Sequence, residues 1–165
     1  MHEHVDYHKF RQGLVLRSML FVPANVDKFV AKAHTRGADA IILDLEDSIA
    51  LSEKAVARKC VTEAAAKVSR SGADVFVRIN SPLRLGIPDL EAVIGTGIRG
   101  ILLPKCDGPS HVRLIADAIS ELEAERGMEI GQTLLSARIE TADAFFKMEK
   151  IAKAHPRLAA FGLGS

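Results

Sequence analysis

Six short apolar runs, rich in β-branched residues, recur along this chain, each followed by a loop and a longer amphipathic stretch. They occupy residues 17–22, 40–45, 74–79, 100–104, 133–139 and 158–163. The stretches between them predict helices over residues 26–36, 52–69, 88–95, 109–126 and 142–154. Ser52 and Glu53 open a run of strong helix formers, and Gly37, Gly72 and Gly127 stand where helices end. Strand–helix–strand alternation is the mark of βαβ units, which build parallel sheets. Runs such as AIILDL and GILLP show no polar alternation, as expected of strands covered on both faces. A sheet of this kind either closes into a barrel or stays open and doubly wound, and the alternation alone leaves both open.

Composition narrows the function classes. The 165 residues are 48% hydrophobic and 26% charged, which suits one globular domain with a sizeable core. A net charge of +1 implies no polyanionic partner. With no tryptophan and one tyrosine there is no aromatic platform for nucleic acid. No run of about 18 apolar residues is present to span a membrane. Residues 1–12 are polar and histidine-rich, with no apolar signal core. His2, His4 and His8 read as solvated and not as a metal site. Two cysteines, Cys60 and Cys106, suggest a reducing, cytoplasmic setting and no disulfide framework.

The charged residues gather at the C-terminal ends of the apolar runs. The second run ends in Asp44, Glu46 and Asp47, the third in Arg78 and Asn80, the fourth in Lys105, and the fifth in Arg138 and Glu140. Strand residues two apart face the same way, so Asp44 and Glu46, Arg78 and Asn80, and Arg138 and Glu140 form pairs on one face. In parallel α/β folds these ends converge on one rim, where active sites form. The plainer reading is a set of structural ion pairs, with Asp47 and Ser48 capping a helix. Burying this much charge costs several kcal/mol per ion unless it is paired or bound to metal, which favours a site. Carboxylates suit Mg²⁺ or Mn²⁺, and an arginine fork grips a carboxylate. Together they suit a small oxo-acid and an enolate formed as a carbon–carbon bond breaks.

Other motifs carry less. The glycines of GTGIRG (95–100) precede an apolar run instead of following it, so they are no dinucleotide loop. There is no GxxxxGK[ST] and no GxSxG. Cys60 lies among alanines in a helix, and Cys106 has no histidine placed to activate it as a nucleophile.

Seven segments occur in order: RSMLFVPAN (17–25), GADAIILDLEDSIA (37–50), EKAVAR (53–58), VRIN (77–80), ILLPK (101–105), RIET (138–141) and FGLGS (161–165). In order and spacing this set resembles the citrate lyase β-subunit-like group of the hydroxy-acid aldolase and citrate lyase superfamily. The resemblance runs from Arg17 to the end and leaves residues 1–16 as an unassigned extension. It implies a TIM (β/α)8 barrel. An eight-stranded barrel usually takes about 250 residues, so the expectation is a barrel truncated after about the sixth strand.

The resemblance also implies roles. Arg78 matches the arginine that holds the oxo-acid end of the substrate. Glu140 matches a carboxylate ligand of Mg²⁺, with Mn²⁺ as a substitute. Glu46 and Asp47 match acids near the metal, acting through water or by orienting other groups. The loop from Pro23 to Lys28 resembles the region that holds a coenzyme A or acyl-carrier thioester, although a simple strand-to-helix turn is an equal reading. The family's second metal carboxylate would follow Ser165, and Ala24 stands where many relatives have glycine.

The implied reaction is Mg²⁺-dependent cleavage of a 3-hydroxy-acyl thioester such as citryl-CoA to an oxo-acid and an acetyl thioester. Malyl-CoA, citramalyl-CoA and β-methylmalyl-CoA lyases, thioesterases on the same scaffold and a pyruvate-using hydroxy-acid aldolase are alternatives within the class. Relatives are commonly homo-oligomers, often trimers. The alternative from another class is a truncated, non-catalytic fragment acting only through association, because an open six-stranded sheet leaves unpaired edges.

Overall fold

Residues 5–164 are described by the computed structural model, and their six strands form one parallel sheet whose order is the order of the sequence. The strands are β1 (Met19–Pro23), β2 (Ala40–Asp44), β3 (Asp74–Arg78), β4 (Gly100–Leu103), β5 (Leu134–Ile139) and β6 (Leu158–Leu163). Helices α1 (Asp27–Ala33), α2 (Lys54–Val68), α3 (Leu83–Val93), α4 (Pro109–Glu125), α5 (Ala142–Phe146) and α6 (Met148–Ala152) lie in the connections. A doubly wound sheet needs a point where strand order reverses, and this sheet has none, so the arrangement is that of a TIM barrel.

Two separate apolar clusters mark the two faces of the sheet. Ile41, Leu43, Val75, Val77, Ile101, Leu103, Leu135 and Ala137 point outward and pack with the helices. Ala40, Ile42, Phe76, Leu102 and Leu134 point inward and pack with one another. Period-two alternation therefore exists, but both faces are apolar, which is why the sequence shows continuous hydrophobic runs. Gly100 makes the inner cluster possible. A Cβ there would lie 2.6 Å from the Phe76 ring and 2.7 Å from the Leu134 carbonyl oxygen.

The N-terminal extension, unassigned in the sequence, has a definite place. Phe10, Leu14 and Leu16, with Met19, pack against the inner cluster. Arg11 donates to the carbonyls of Pro156 and Leu158. His8 is exposed. His2 and His4 lie outside the described residues.

Two predicted helices differ in detail. The helix expected over 88–95 starts at Leu83, because Pro82 supplies the extended N-cap and Pro88 lies inside. Only one backbone donor is lost there. The helix expected over 142–154 breaks at Lys147, whose φ of −102° and ψ of 4° separate α5 from α6.

A fully buried ion pair joins α4 to the strands. Arg157 donates to both Glu123 oxygens, at 3.0 and 2.8 Å, and to the Thr133 carbonyl and the Ser120 hydroxyl, both at 2.7 Å. Glu123 also accepts from the amides of Gly131 and Thr133. Both Glu123 oxygens and both terminal nitrogens of Arg157 are satisfied, and Arg157 Nε alone in this cluster is buried without a hydrogen bond. No helix among the described residues is long and apolar enough to cross a membrane.

Candidate active site

The register between β2 and β3 places Asp44 directly beside Arg78, each at the last position of its strand. Arg78 donates from Nε to Asp44 Oδ1 and from Nη2 to Oδ2, both at 2.7 Å, a bidentate fork. Asp44 is buried and also accepts from the amides of Glu46 and Ser48 and from the Ser48 hydroxyl. Burial pushes its carboxyl upward, but the Arg78, Ser48 and Glu46 hydrogen bonds outweigh it and hold the group below the usual range. The third guanidinium nitrogen, Nη1, lies 3.3 Å from Glu46 Oε2 and 3.8 Å from Asp47 Oδ2.

Lys105 joins the same cluster from the end of β4. Its Nζ donates to Glu46 Oε1 at 2.5 Å and to Asp47 Oδ1 at 3.0 Å. Its backbone amide donates to Glu140 Oε2 at 2.9 Å, just past β5. Lys105 has a φ of 47°, a left-handed conformation that costs a non-glycine residue about 1 kcal/mol. Glu46 is buried behind this half-exposed lysine, and burial lifts its carboxyl above the ordinary value despite the pull of Lys105 and Arg78. Its Oε2 is buried without a hydrogen bond.

The acidic loop after β2 is held from behind by Lys54. This buried lysine donates to the carbonyls of Leu45, at 2.7 Å, and Glu46. Its signal in the sequence is positional: it falls on the buried stripe of α2 with Ala57, Val61, Ala64, Ala65 and Val68. Phe21, 39% exposed on the inner side of β1, lies under two cations. Its ring centroid is 4.8 Å from the Arg78 guanidinium carbon and 6.0 Å from that of Arg138. Neither Lys54 nor Phe21 stood out as a functional residue in the sequence.

Arg78, Glu46, Asp47 and Glu140 thus share one rim with Asp44, Lys105 and Arg138. Asn80 does not join them. Its strand ends at Arg78, and alternation ends with it. Asn80 turns instead to Asp89 and the Leu45 carbonyl, with Arg58 on the far oxygen of Asp89. A Cβ on Gly86 would lie 2.6 Å from the Asn80 carbonyl oxygen, so this corner is tight. Pro23 and Lys28 line a cleft of about 560 Å³ along β1 and α1 that meets the rim at Phe21, together with Phe29, Lys32 and Arg36. Cys106 is buried, with its thiol donating to the Gly108 carbonyl at 3.8 Å, and burial pushes that thiol upward, away from nucleophilic use.

Among the described residues no group of three or more His, Cys, Asp or Glu side chains converges on one metal position. The rim does offer hard oxygen donors: the Glu140 carboxylate and the buried Glu46 Oε2 that lacks a hydrogen bond. Oxygen-only donors of this kind fit Mg²⁺, which keeps several waters and takes one or two carboxylates plus substrate oxygens.

The family model described as HpcH/HpaI aldolase/citrate lyase matches residues 17–165. The chain is 38% identical over 156 residues to the citrate lyase subunit β of Escherichia coli K12, covering 94% of this chain and 52% of that protein. It is 32% identical over 155 residues to a (3S)-malyl-CoA thioesterase of Cereibacter sphaeroides, covering 93% of this chain and 50% of the relative. Among solved structures it resembles the protein CitE of Mycobacterium tuberculosis in complex with magnesium and acetoacetate. That similarity has a TM-score of 0.67 at 28% identity and covers 92% of this chain and 56% of the other. The chain spans about half the length of the curated relatives it matches.

Proposed function

This chain belongs to the HpcH/HpaI aldolase/citrate lyase family, and on that premise we propose that it carries the oxo-acid end of a Mg²⁺-dependent carbon–carbon lyase acting on a 3-hydroxy-acyl thioester such as citryl-CoA. The observation that carries this reading is the Arg78–Asp44 fork. Asp44 occupies Nε and Nη2 and fixes the guanidinium plane, leaving Nη1 toward the rim. A substrate carboxylate entering there meets a cation whose orientation is already fixed. Lys105 neutralises Glu46 and Asp47, which would otherwise repel the anion.

Glu140 would hold the metal directly, and Glu46 and Asp47 would act through water. Held there, Mg²⁺ would supply a Lewis acid for the oxygen of the oxo-acid and for developing enolate charge. In the cleavage direction the substrate hydroxyl loses its proton and becomes the carbonyl of the oxo-acid as the carbon–carbon bond breaks. The electron pair goes to the α-carbon of the acetyl thioester, which then takes up a proton. Pro23 and Lys28 would contact the thioester carrier, coenzyme A or an acyl-carrier protein. A cytoplasmic homo-oligomer, a trimer by resemblance, completes the reading.

Similarity to a malyl-CoA thioesterase favours a second reading, hydrolysis of the thioester on the same scaffold. One assay separates the two: Mg²⁺-dependent turnover of citryl-, malyl- and citramalyl-CoA by the protein and its Arg78→Ala variant. Release of an oxo-acid with acetyl-CoA, reduced about 1,000-fold in the variant, supports the lyase. Release of free coenzyme A and a hydroxy acid supports the thioesterase. A folded protein that turns over no member of the panel overturns both.

A further inference from the structure

Among the described residues Arg138 makes no side-chain hydrogen bond and has one loose ion pair, with Glu140. It sits on the inner face of β5, opposite Gly162 of β6. Its Nε is buried and makes no hydrogen bond. Its carboxylate neighbour, Glu140, is 3.6 Å from that atom, beyond hydrogen-bond reach, and Glu140 Oε2 is already engaged by the Lys105 amide. Arg78 differs in having two of its three nitrogens forked onto Asp44.

The space beside Arg138 is kept open by glycine. A Cβ on Gly162 would lie 3.4 Å from Nη1, and one on Gly164 would lie 3.0 Å from Nη2. The two guanidiniums also share a floor, because both lie within cation–π distance of the Phe21 ring. A small ligand resting over Phe21 therefore meets two arginines, one held rigid by Asp44 and one with unused donors. Arginine is the residue best shaped for a second carboxylate.

We infer that Arg138 is a specificity-determining residue that binds a second substrate carboxylate, so that the preferred oxo-acid is a diacid. This rests on the lyase reading above and deepens it. A substrate whose oxo-acid part has two carboxylates fills both guanidiniums. A substrate yielding a mono-acid leaves the half-buried Arg138 with its donors unused, which a site tuned to a polar group penalises.

Citryl-CoA and citramalyl-CoA test this directly, since citramalyl-CoA has a methyl group where citryl-CoA has a carboxymethyl group. The expected result is a kcat/KM for citryl-CoA at least about 10-fold above that for citramalyl-CoA. Arg138→Gln should lower the citryl value about 10- to 100-fold, chiefly through KM, and the citramalyl value about 3-fold or less. Arg138→Lys, which retains the charge but not the fork, should fall between. Equal losses on both substrates, or a native preference for citramalyl-CoA, overturn the inference. Binding of oxaloacetate and pyruvate, measured calorimetrically with Mg²⁺, separates it from the lyase reading. Tighter binding of the diacid that Arg138→Gln abolishes, without thioester cleavage, leaves the inference standing and the lyase reading refuted. No binding of the diacid, or equal affinity for the two acids, overturns the inference whatever the turnover.

Discussion

Arg78 and Asp44 occupy paired positions at the ends of adjacent strands and share a two-pronged hydrogen bond of 2.7 Å on each prong. Asp44 is buried and, among the described residues, has no other cation within ion-pair distance, so this contact both shapes the rim and contributes to stability.

Removing one partner leaves the other buried and uncompensated. Asp44→Ala should destabilise the protein by about 3 kcal/mol in urea unfolding, and Arg78→Met combined with it should recover part of that loss. A double variant as unstable as the sum of the single changes would show that the two residues act independently.

Asp44 and Glu46 respond to pH in opposite senses. Asp44 is held below its ordinary 3.8, so its stabilisation is complete above 3.8 and is lost as pH falls through its lowered value. Glu46 is lifted above 4.5 by burial, so the folded state holds its proton more tightly than the unfolded chain. Stability then declines as pH rises from 4.5 through the raised value. Glu46→Gln should flatten that decline and leave the protein about 1 kcal/mol more stable at pH 7, while lowering turnover. Urea titrations of both proteins between pH 4 and 7 measure the difference in slope.

Lys105 combines a charge with a strained backbone. Lys105→Ala and Lys105→Gly both remove the bridge to Glu46 and Asp47, and both should reduce activity. Glycine tolerates φ near 47°, so the glycine variant should be about 1 kcal/mol more stable than the alanine variant. Equal melting temperatures would show that the left-handed conformation is not retained.

A Cβ on Gly164 would lie 2.6 Å from Glu140 Cγ and 2.7 Å from its Oε1. Gly164→Ala should therefore displace the proposed metal ligand and weaken Mn²⁺ binding about 10- to 100-fold, read by electron paramagnetic resonance. Removing the metal with chelator should abolish turnover in both proteins. Unaltered Mn²⁺ affinity in the variant would remove Glu140 from the metal site.

The strands were readable because the physics behind them is local. Runs such as AIILDL and GILLP, bounded by glycines and followed by helix formers, announce strands buried on both faces. Charges at the ends of those runs announced the rim, since a parallel sheet brings all such ends together. The break at Lys147 and the early start of α3 were hidden, because a continuous helical pattern does not record where a chain must turn to stay packed.

The sequence by itself determined the element order, the family resemblance and the set Arg78, Glu46, Asp47 and Glu140 as neighbours on one rim. Only the tertiary structure decided which charge each of them meets. Asp44 and Arg78 are 34 residues apart, and Lys105 lies 59 residues from Glu46. Their pairing depends on strand register, not on spacing. The same packing removed Asn80 from the rim, placed Lys54 behind the acidic loop and left Arg138 with unused donors beside two glycines. Contacts of this kind follow from the parallel register between neighbouring strands, and that register is a property of the whole sheet rather than of any segment of it.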